Sequence, residues 1–194
     1  MSYKGFGLFL DDIGGGSLSR AEKLLAGISG GFSKALSAAL KRTATSTESF
    51  AARAVRSEYV VKASDFKEFT TSKRHITISP GACEASIEFK GYHIPLVRFS
   101  TTVVKGGKIS TKVKRESARQ VLDNAFAARL GNDFGIYERI GTKRFPIRQL
   151  WGPATTQMMY SNEHVTDSID EHAREVFENR MEHEINRILA GFGK

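Results

Sequence analysis

The chain has 194 residues and a formal net charge of +8, from 29 Lys and Arg against 21 Asp and Glu. That length suits one domain, or a domain with an appended arm, and is enough to bury a hydrophobic core. A single cysteine, Cys83, excludes an internal disulfide framework and a cysteine-based zinc site, and no apolar run reaches the ~18–20 residues of a membrane span, so a protein soluble in a reducing compartment or a virion is expected.

Residues 1–17 read as an N-terminal arm. Tyr3, Phe6, Leu8, Phe9 and Leu10 are apolar, and Gly14-Gly15-Gly16 then interrupts any regular element. The apolar start is too short for a signal-peptide core, and Asp11-Asp12 follow it directly. Such an arm packs either on a partner or back on its own core. Residues 18–194 read as a single domain, helical over 18–72, with a sheet over 75–140 and helices again over 153–190. Ser19 and Glu22 have the spacing of a capping box, followed by Leu24, Leu25 and Ile28 on one helical face. Phe32, Leu36, Leu40, Thr47, Phe50, Ala51, Ala54 and Val55 recur near a period of 3.6, which predicts a long helix from about residue 33 to about 57. Its other face carries Lys34, Lys41, Arg42, Arg53 and Arg56. Tyr59-Val60-Val61-Lys62 reads as extended or as a tight turn. Ser64 is then an expected N-cap, with Asp65 favouring the dipole of a short helix to about Thr71. Helix, turn and short helix raise a DNA-reading motif. The recognition segment would be Asp65-Phe66-Lys67-Glu68-Phe69-Thr70, a poor set for base edges, which favour Arg, Asn, Gln or Lys.

The middle of the chain changes period. Residues 75–79, 85–90 and 92–99 alternate, with Pro80-Gly81 and Lys90-Gly91 as punctuation. Thr101–Val104 and Ile109–Lys114 flank Lys105-Gly106-Gly107-Lys108 and predict a hairpin. Phe134–Arg139 predicts a further strand. The expectation is one antiparallel sheet of about five to six strands with an extended basic hairpin. Pro153 suits a helix start, with a short helix near residues 155–161. Val165, Ile169, Ala173, Val176, Phe177, Met181, Ile185, Ile188 and Leu189 predict a terminal amphipathic helix of roughly 25 residues, stopped at Gly191. Helices at both ends and strands between them make the fold class α+β.

No catalytic pattern stands out, so the chain is not expected to be an enzyme or to carry a cofactor. Gly-x-Ser-x-Gly is absent, and Gly14-Gly15-Gly16 lacks the Lys and Ser/Thr of a phosphate-binding loop. Cys83 lies near His75 and His93 in sequence, but no third group orients a Cys/His pair. His172 and His183 are eleven residues apart on one helix, which prevents both from ligating one metal ion. The hairpin is different: Lys105, Lys108, Lys112, Lys114 and Arg115 put five positive charges into eleven residues without an acid. Lys112 and Lys114 are expected on one strand face. Such a cluster contacts phosphates or an acidic partner, or blocks edge-to-edge aggregation of the sheet.

Ile94-Pro95-Leu96-Val97-Arg98-Phe99, Ala125-Phe126-Ala127-Ala128-Arg129, Gly135-Ile136-Tyr137-Glu138-Arg139 and Arg144-Phe145-Pro146-Ile147-Arg148-Gln149-Leu150-Trp151-Gly152-Pro153 together resemble the phage minor tail protein Z family. The order of segments fits it from about residue 18 onward. The resemblance implies a tail-completion or terminator-like virion protein, assembled in the host cytoplasm. Its partners would be further copies of itself in a six-fold ring, neighbouring tail-tube, terminator or connector proteins, and genomic DNA in the lumen. In that setting Arg139, Arg144 and Arg148 around Pro146 would bridge subunits or hold the acidic helix of a neighbour, and Trp151 before Gly152-Pro153 would anchor the turn into the last helices. Plain architecture is the competing role for Pro146, Trp151, Gly152 and Pro153.

Charge placement bears on the same question. Residues 1–160 hold 25 basic and 13 acidic side chains, whereas residues 161–194 hold 4 and 8. A basic body with an acidic end suits head-to-tail self-association. The alternative is a sequence-nonspecific DNA-binding protein that uses the basic helices and the lysine hairpin.

Overall fold

The computed structural model describes residues 6–9, 17–79, 82–160 and 162–192. Gly14-Gly15-Gly16 and the Pro80-Gly81 turn lie outside these residues, as does the side chain of Cys83. Strand β1 (Phe6–Phe9) precedes helices α1 (Ser17–Leu25), α2 (Gly31–Glu58) and α3 (Ala63–Glu68). The strands that follow are β2 (Thr70–Ser79), β3 (Ala82–Gly91), β4 (His93–Pro95), β5 (Ser100–Val103), β6 (Ile109–Lys112), β7 (Gln120–Leu122), β8 (Ala125–Leu130), β9 (Asp133–Arg139), β10 (Ile147–Gln149) and β11 (Trp151–Ala154). Helices α4 (Thr155–Met159) and α5 (Glu163–Phe192) end the order. The fold is α+β, as the alternation of periods predicts. No helix among the described residues is long and apolar enough to cross a membrane.

Helix α2 is central. Ala35, Leu36, Ala39, Leu40, Thr43, Ala44, Thr47, Ala51, Ala52 and Val55 are all buried, an arc far wider than a surface helix needs. The width follows from two sets of neighbours: α5 runs along one side, and α3, α4, β2 and β3 approach from the other. Five of the ten are alanines, which let the backbones come close. On α5 the buried stripe repeats at i+4 through Val165, Ile169, Ala173, Phe177, Met181 and Ile185. The periodic positions read from the sequence are thus the packed ones, except Val176, which is only half-buried, and Leu189, which is 38% exposed.

Element ends are corrected. Ser19 lies inside the first turn of α1, two residues past its start, so it is not the N-cap of a capping box. Lys62, not Ser64, is the N-cap of α3, without a side-chain cap. Helix α5 runs through Gly191 to Phe192, since a single glycine costs only about 1 kcal/mol in a helix.

The single sheet of five to six strands is also corrected. Strands divide into four small antiparallel sheets, ordered β1-β3-β2, β5-β6-β7, β10-β9-β8 and β11-β4. Short strands cause this. The stretch from Tyr92 to Phe99 gives three strand residues before a 3₁₀ turn at Leu96–Arg98, and Pro153 sits inside β11 rather than opening a helix. In the first sheet Phe6↔Phe89 and Leu8↔Ile87 pair, so the described part of the N-terminal arm folds back on its own chain. Ile87 and Phe89 are buried between the half-buried Ser86, Glu88 and Lys90, the alternation read from the sequence.

Polar contacts pin the layers. The Thr70 hydroxyl donates to the Phe66 carbonyl (2.7 Å) and sits 2.9 Å from Thr155 Oγ1, whose hydroxyl donates to the Phe69 carbonyl (3.2 Å). Arg98 Nη1 donates to Asp65 Oδ1 at 2.9 Å, which pairs a carboxylate that is only 3% exposed. Between α2 and α5, the His172 ring stacks on Phe50 with centroids 4.1 Å apart, and its Nε2 lies 3.1 Å from Ser46 Oγ.

Two predictions follow from this interface. The Thr43 and Thr47 hydroxyls are buried with no hydrogen-bond partner among the described residues. Thr47→Val keeps the shape and removes an unsatisfied group, so it is expected to raise stability by about 1 kcal/mol in urea denaturation. Burial and the Arg53 guanidinium hold the His172 imidazole below its ordinary pKa, against the pull of Glu175. The folded state therefore takes up this proton less readily than the unfolded chain, and stability falls as pH drops through roughly 6.5 toward the folded value. His172→Gln removes that term, so its denaturation midpoint is expected to fall less than the wild type's between about pH 7.5 and about pH 5.5.

Candidate functional site

The basic hairpin forms where the sequence places it. Strands β5 and β6 pair from Ser100↔Lys112 to Val103↔Ile109. The turn needs both glycines, since Gly106 and Gly107 sit at φ +83° and +76°. Its five cations, however, do not form one comb. Lys108 Nζ donates to Asp123 Oδ1 at 2.7 Å, and that hydrogen bond and charge hold the Asp123 carboxyl below its usual range. Strand β6 ends at Lys112, so Lys114 is not on its face. Instead Lys114 bridges to Tyr59 and puts Nζ 5.7 Å from the centre of that ring. Arg115 closes the end of α2: its backbone N–H donates to the Glu58 carbonyl (2.7 Å) and its Nε to the Arg56 carbonyl (2.5 Å). The last carbonyls of a helix lack intrahelical donors and carry partial negative charge, so this capping occupies Arg115. Lys105 and Lys112 have no ion pair among the described residues.

The second set of residues lies on the β8-β9-β10 sheet. Arg139 stacks over the Phe126 ring at 4.9 Å, and Arg148 Nε donates to Glu138 Oε1 across the β9–β10 pair. Residues 140–146 join those strands as a fully exposed loop, closed by an Ile140 N–H to Pro146 carbonyl bond of 3.1 Å. Arg144 lies 5.8 Å from the Phe145 ring at its tip. The two sets meet only through Lys108 and Arg139, which share a groove of about 680 Å³ with Asp123, Phe126 and Ile140. With Asp123 inside it, this groove is of mixed charge and does not have the all-cationic lining that cradles phosphates.

Trp151 does not act as a buried anchor. It is 49% exposed and lines a groove of about 760 Å³ with Phe69, Tyr92 and His93. Anchoring falls to its neighbour: the Gly152 carbonyl accepts from His93 Nδ1–H at 2.8 Å, and the Gly152 Cα faces the buried Phe99 ring so closely that no Cβ fits. Pro153 follows, half-buried in β11.

Helix α5 supplies what the sequence signalled only as an acidic end. Glu163, Asp167, Glu171, Glu175, Glu178 and Glu182 are all exposed and follow each other at i+3 or i+4. They form one stripe about 28 Å long at 1.5 Å per residue, exposed throughout while the Val165–Ile185 seam is buried. None has an ion-pair partner among the described residues. The spacing was legible in the sequence; that none of the six is paired among the described residues was not. Among the described residues no three His, Cys, Asp or Glu side chains are placed to hold a metal ion.

The site is thus a pair of unlike surfaces rather than a pocket with reacting groups. One is the basic, partly apolar end formed by β5–β10, where Val103, Val121, Leu130, Phe134, Ile140 and Phe145 are each exposed by 46% or more. The other is the acidic face of α5. Compared with protein-family models, with curated proteins and with solved structures, the chain finds no match. Gly152→Ala is expected to destabilise the fold by about 1–3 kcal/mol in chemical denaturation, because its methyl group has to displace the packed Phe99 ring.

Proposed function

We propose that the chain is a structural phage-tail protein, a tail-completion or terminator-like subunit that forms a six-fold ring at the head-proximal end of the tail. It would join the tail to the head–tail connector by surface complementarity, without catalysis. The observation that carries this reading is the unpaired acidic stripe on α5 in a chain whose opposite charge and exposed apolar side chains gather on β5–β10. Two different, mutually attractive surfaces on one subunit lead to head-to-tail contacts, and these close into rings when the rotation permits. The resemblance of residues 94–153 to the minor tail protein Z family supports the place of that ring in a virion. Neighbouring tail-tube, terminator or connector proteins would then stack on it, with DNA passing through the lumen.

A second reading, sequence-nonspecific DNA binding, has one observation in its favour. Lys34, Lys41, Arg42, Arg53 and Arg56 on α2 are all exposed. Against it, the short helix α3 buries Asp65 and Phe66, which leaves little to enter a groove, and three of the five hairpin cations are engaged within the chain. Light scattering on the purified protein, with negative-stain imaging, separates the two. Ring particles with the mass of six subunits are expected. A strict monomer that shifts duplex DNA with a steep salt dependence is the result that favours the second reading.

A further inference from the structure

Helices α1 and α5 enclose a slot of about 180 Å³. Its floor is Leu24, Met181 and Ile185, and its rim is Glu178, Glu182 and Arg20. Small-molecule pockets start near about 300 Å³, so this slot has the size for one or two side chains rather than a cofactor. Leu24 is 46% exposed while the adjacent Leu25 is buried, so Leu24 is an apolar side chain that its own core does not use. Glu178 and Glu182 belong to the unpaired stripe of α5 and stand one turn apart beside that apolar floor.

The loop between β9 and β10 has the complementary build. Ile140 and Phe145 are 62% and 61% exposed, the two most exposed large apolar side chains among the described residues. Lys143 and Arg144 stand between them, and the run Arg139–Arg148 contains no acid. An apolar knob flanked by cations thus faces solvent on one surface, and an apolar slot rimmed by two carboxylates and one guanidinium faces solvent on another. Neither Glu178 nor Glu182 pairs with Lys143 or Arg144 within the chain.

We propose that the 140–146 loop of one copy seats in the α1–α5 slot of the next copy, with Phe145 over Leu24, Met181 and Ile185 and with Lys143 and Arg144 against Glu178 and Glu182. The occupant is a second copy because both halves of the contact are present, unused, on the same chain. Burying a phenylalanine side chain contributes more than solvent-exposed ion pairs do. The knob therefore supplies affinity, and the charges select orientation. Since knob and slot are different surfaces, each subunit retains a free half after pairing and the contact repeats. This proposal rests on the ring reading for its choice of partner.

The test is disulfide trapping of the full-length purified protein. Thr142→Cys and Asn186→Cys are combined in a Cys83→Ser background, which keeps Phe145; both introduced positions are exposed, and Asn186 lines the slot. Oxidation is expected to give a non-reducing gel ladder that continues past the dimer, which each single-cysteine variant cannot produce. Arg144→Glu and Glu182→Arg, each introduced alone into the paired-cysteine chain, are expected to weaken the ladder, and their combination to restore it. If the wild type assembles by light scattering but the paired cysteines give no species beyond the dimer, this contact is overturned and the ring reading stands. If the wild type is monomeric and no ladder forms, both fall.

Discussion

The packing of α2 against α5 is the contact on which the rest of the molecule depends. It joins residues more than a hundred positions apart, and it brings the two ends of the chain onto one core. Alanines along α2 let the helices approach, and an i+4 seam of larger side chains on α5 fills the space between them. Burial of Leu36, Leu40, Ile169 or Met181 contributes roughly 1.5–3 kcal/mol each. The ion pair Lys108–Asp123 stands in solvent, where water and salt screen its charges. Helix packing therefore sets the stability, and the surface charges are available for other purposes.

That division shapes the surface. Once the seam of α5 is committed to α2, the helix has one free face, and it is acidic over about 28 Å. Once α2 is enclosed by α5 on one side and by α3, α4 and the first sheet on the other, the remaining strands have no helix to cover them. They form small sheets at the basic end, where Ile109, Ala125 and Ile136 join the core and Val103, Val121, Leu130 and Phe134 stay exposed. Val103, Phe134, Ile140 and Phe145 are each more than half exposed there. The proposed ring contact uses what this core leaves uncovered on both sides.

Several roles changed when the chain was folded. Arg115 looked like one of five equivalent hairpin cations, yet it caps the carbonyls of a helix that ends 57 residues earlier in sequence. Lys108 looked free, but its partner Asp123 lies across the β6–β7 pair. Trp151 looked like an anchor, because tryptophan next to Gly-Pro suggests one. The neighbouring Gly152 makes the close approach to Phe99, and the indole is left half in solvent. In each case the deciding atom belongs to a remote segment. Local spacing carries no information about it.

The sequence by itself determined the elements whose period is unambiguous: α2, α5, β3, the 75–79 half of β2, and the Gly-Gly hairpin, whereas Thr70 and Thr71, expected at the end of a short helix, open β2 instead. Hydrophobic spacing and turn chemistry are local, and in these segments they agree with the fold. It also determined the separation of charge, since net charge along a chain does not depend on how the chain folds. Tertiary structure alone decided that the strands split into four small sheets, that three of five hairpin cations are engaged within the chain, and that Leu24 meets Met181 and Ile185 beside two free carboxylates. Pairing between segments is settled by which surfaces the core leaves open, and that is a property of the whole packing rather than of any window along it.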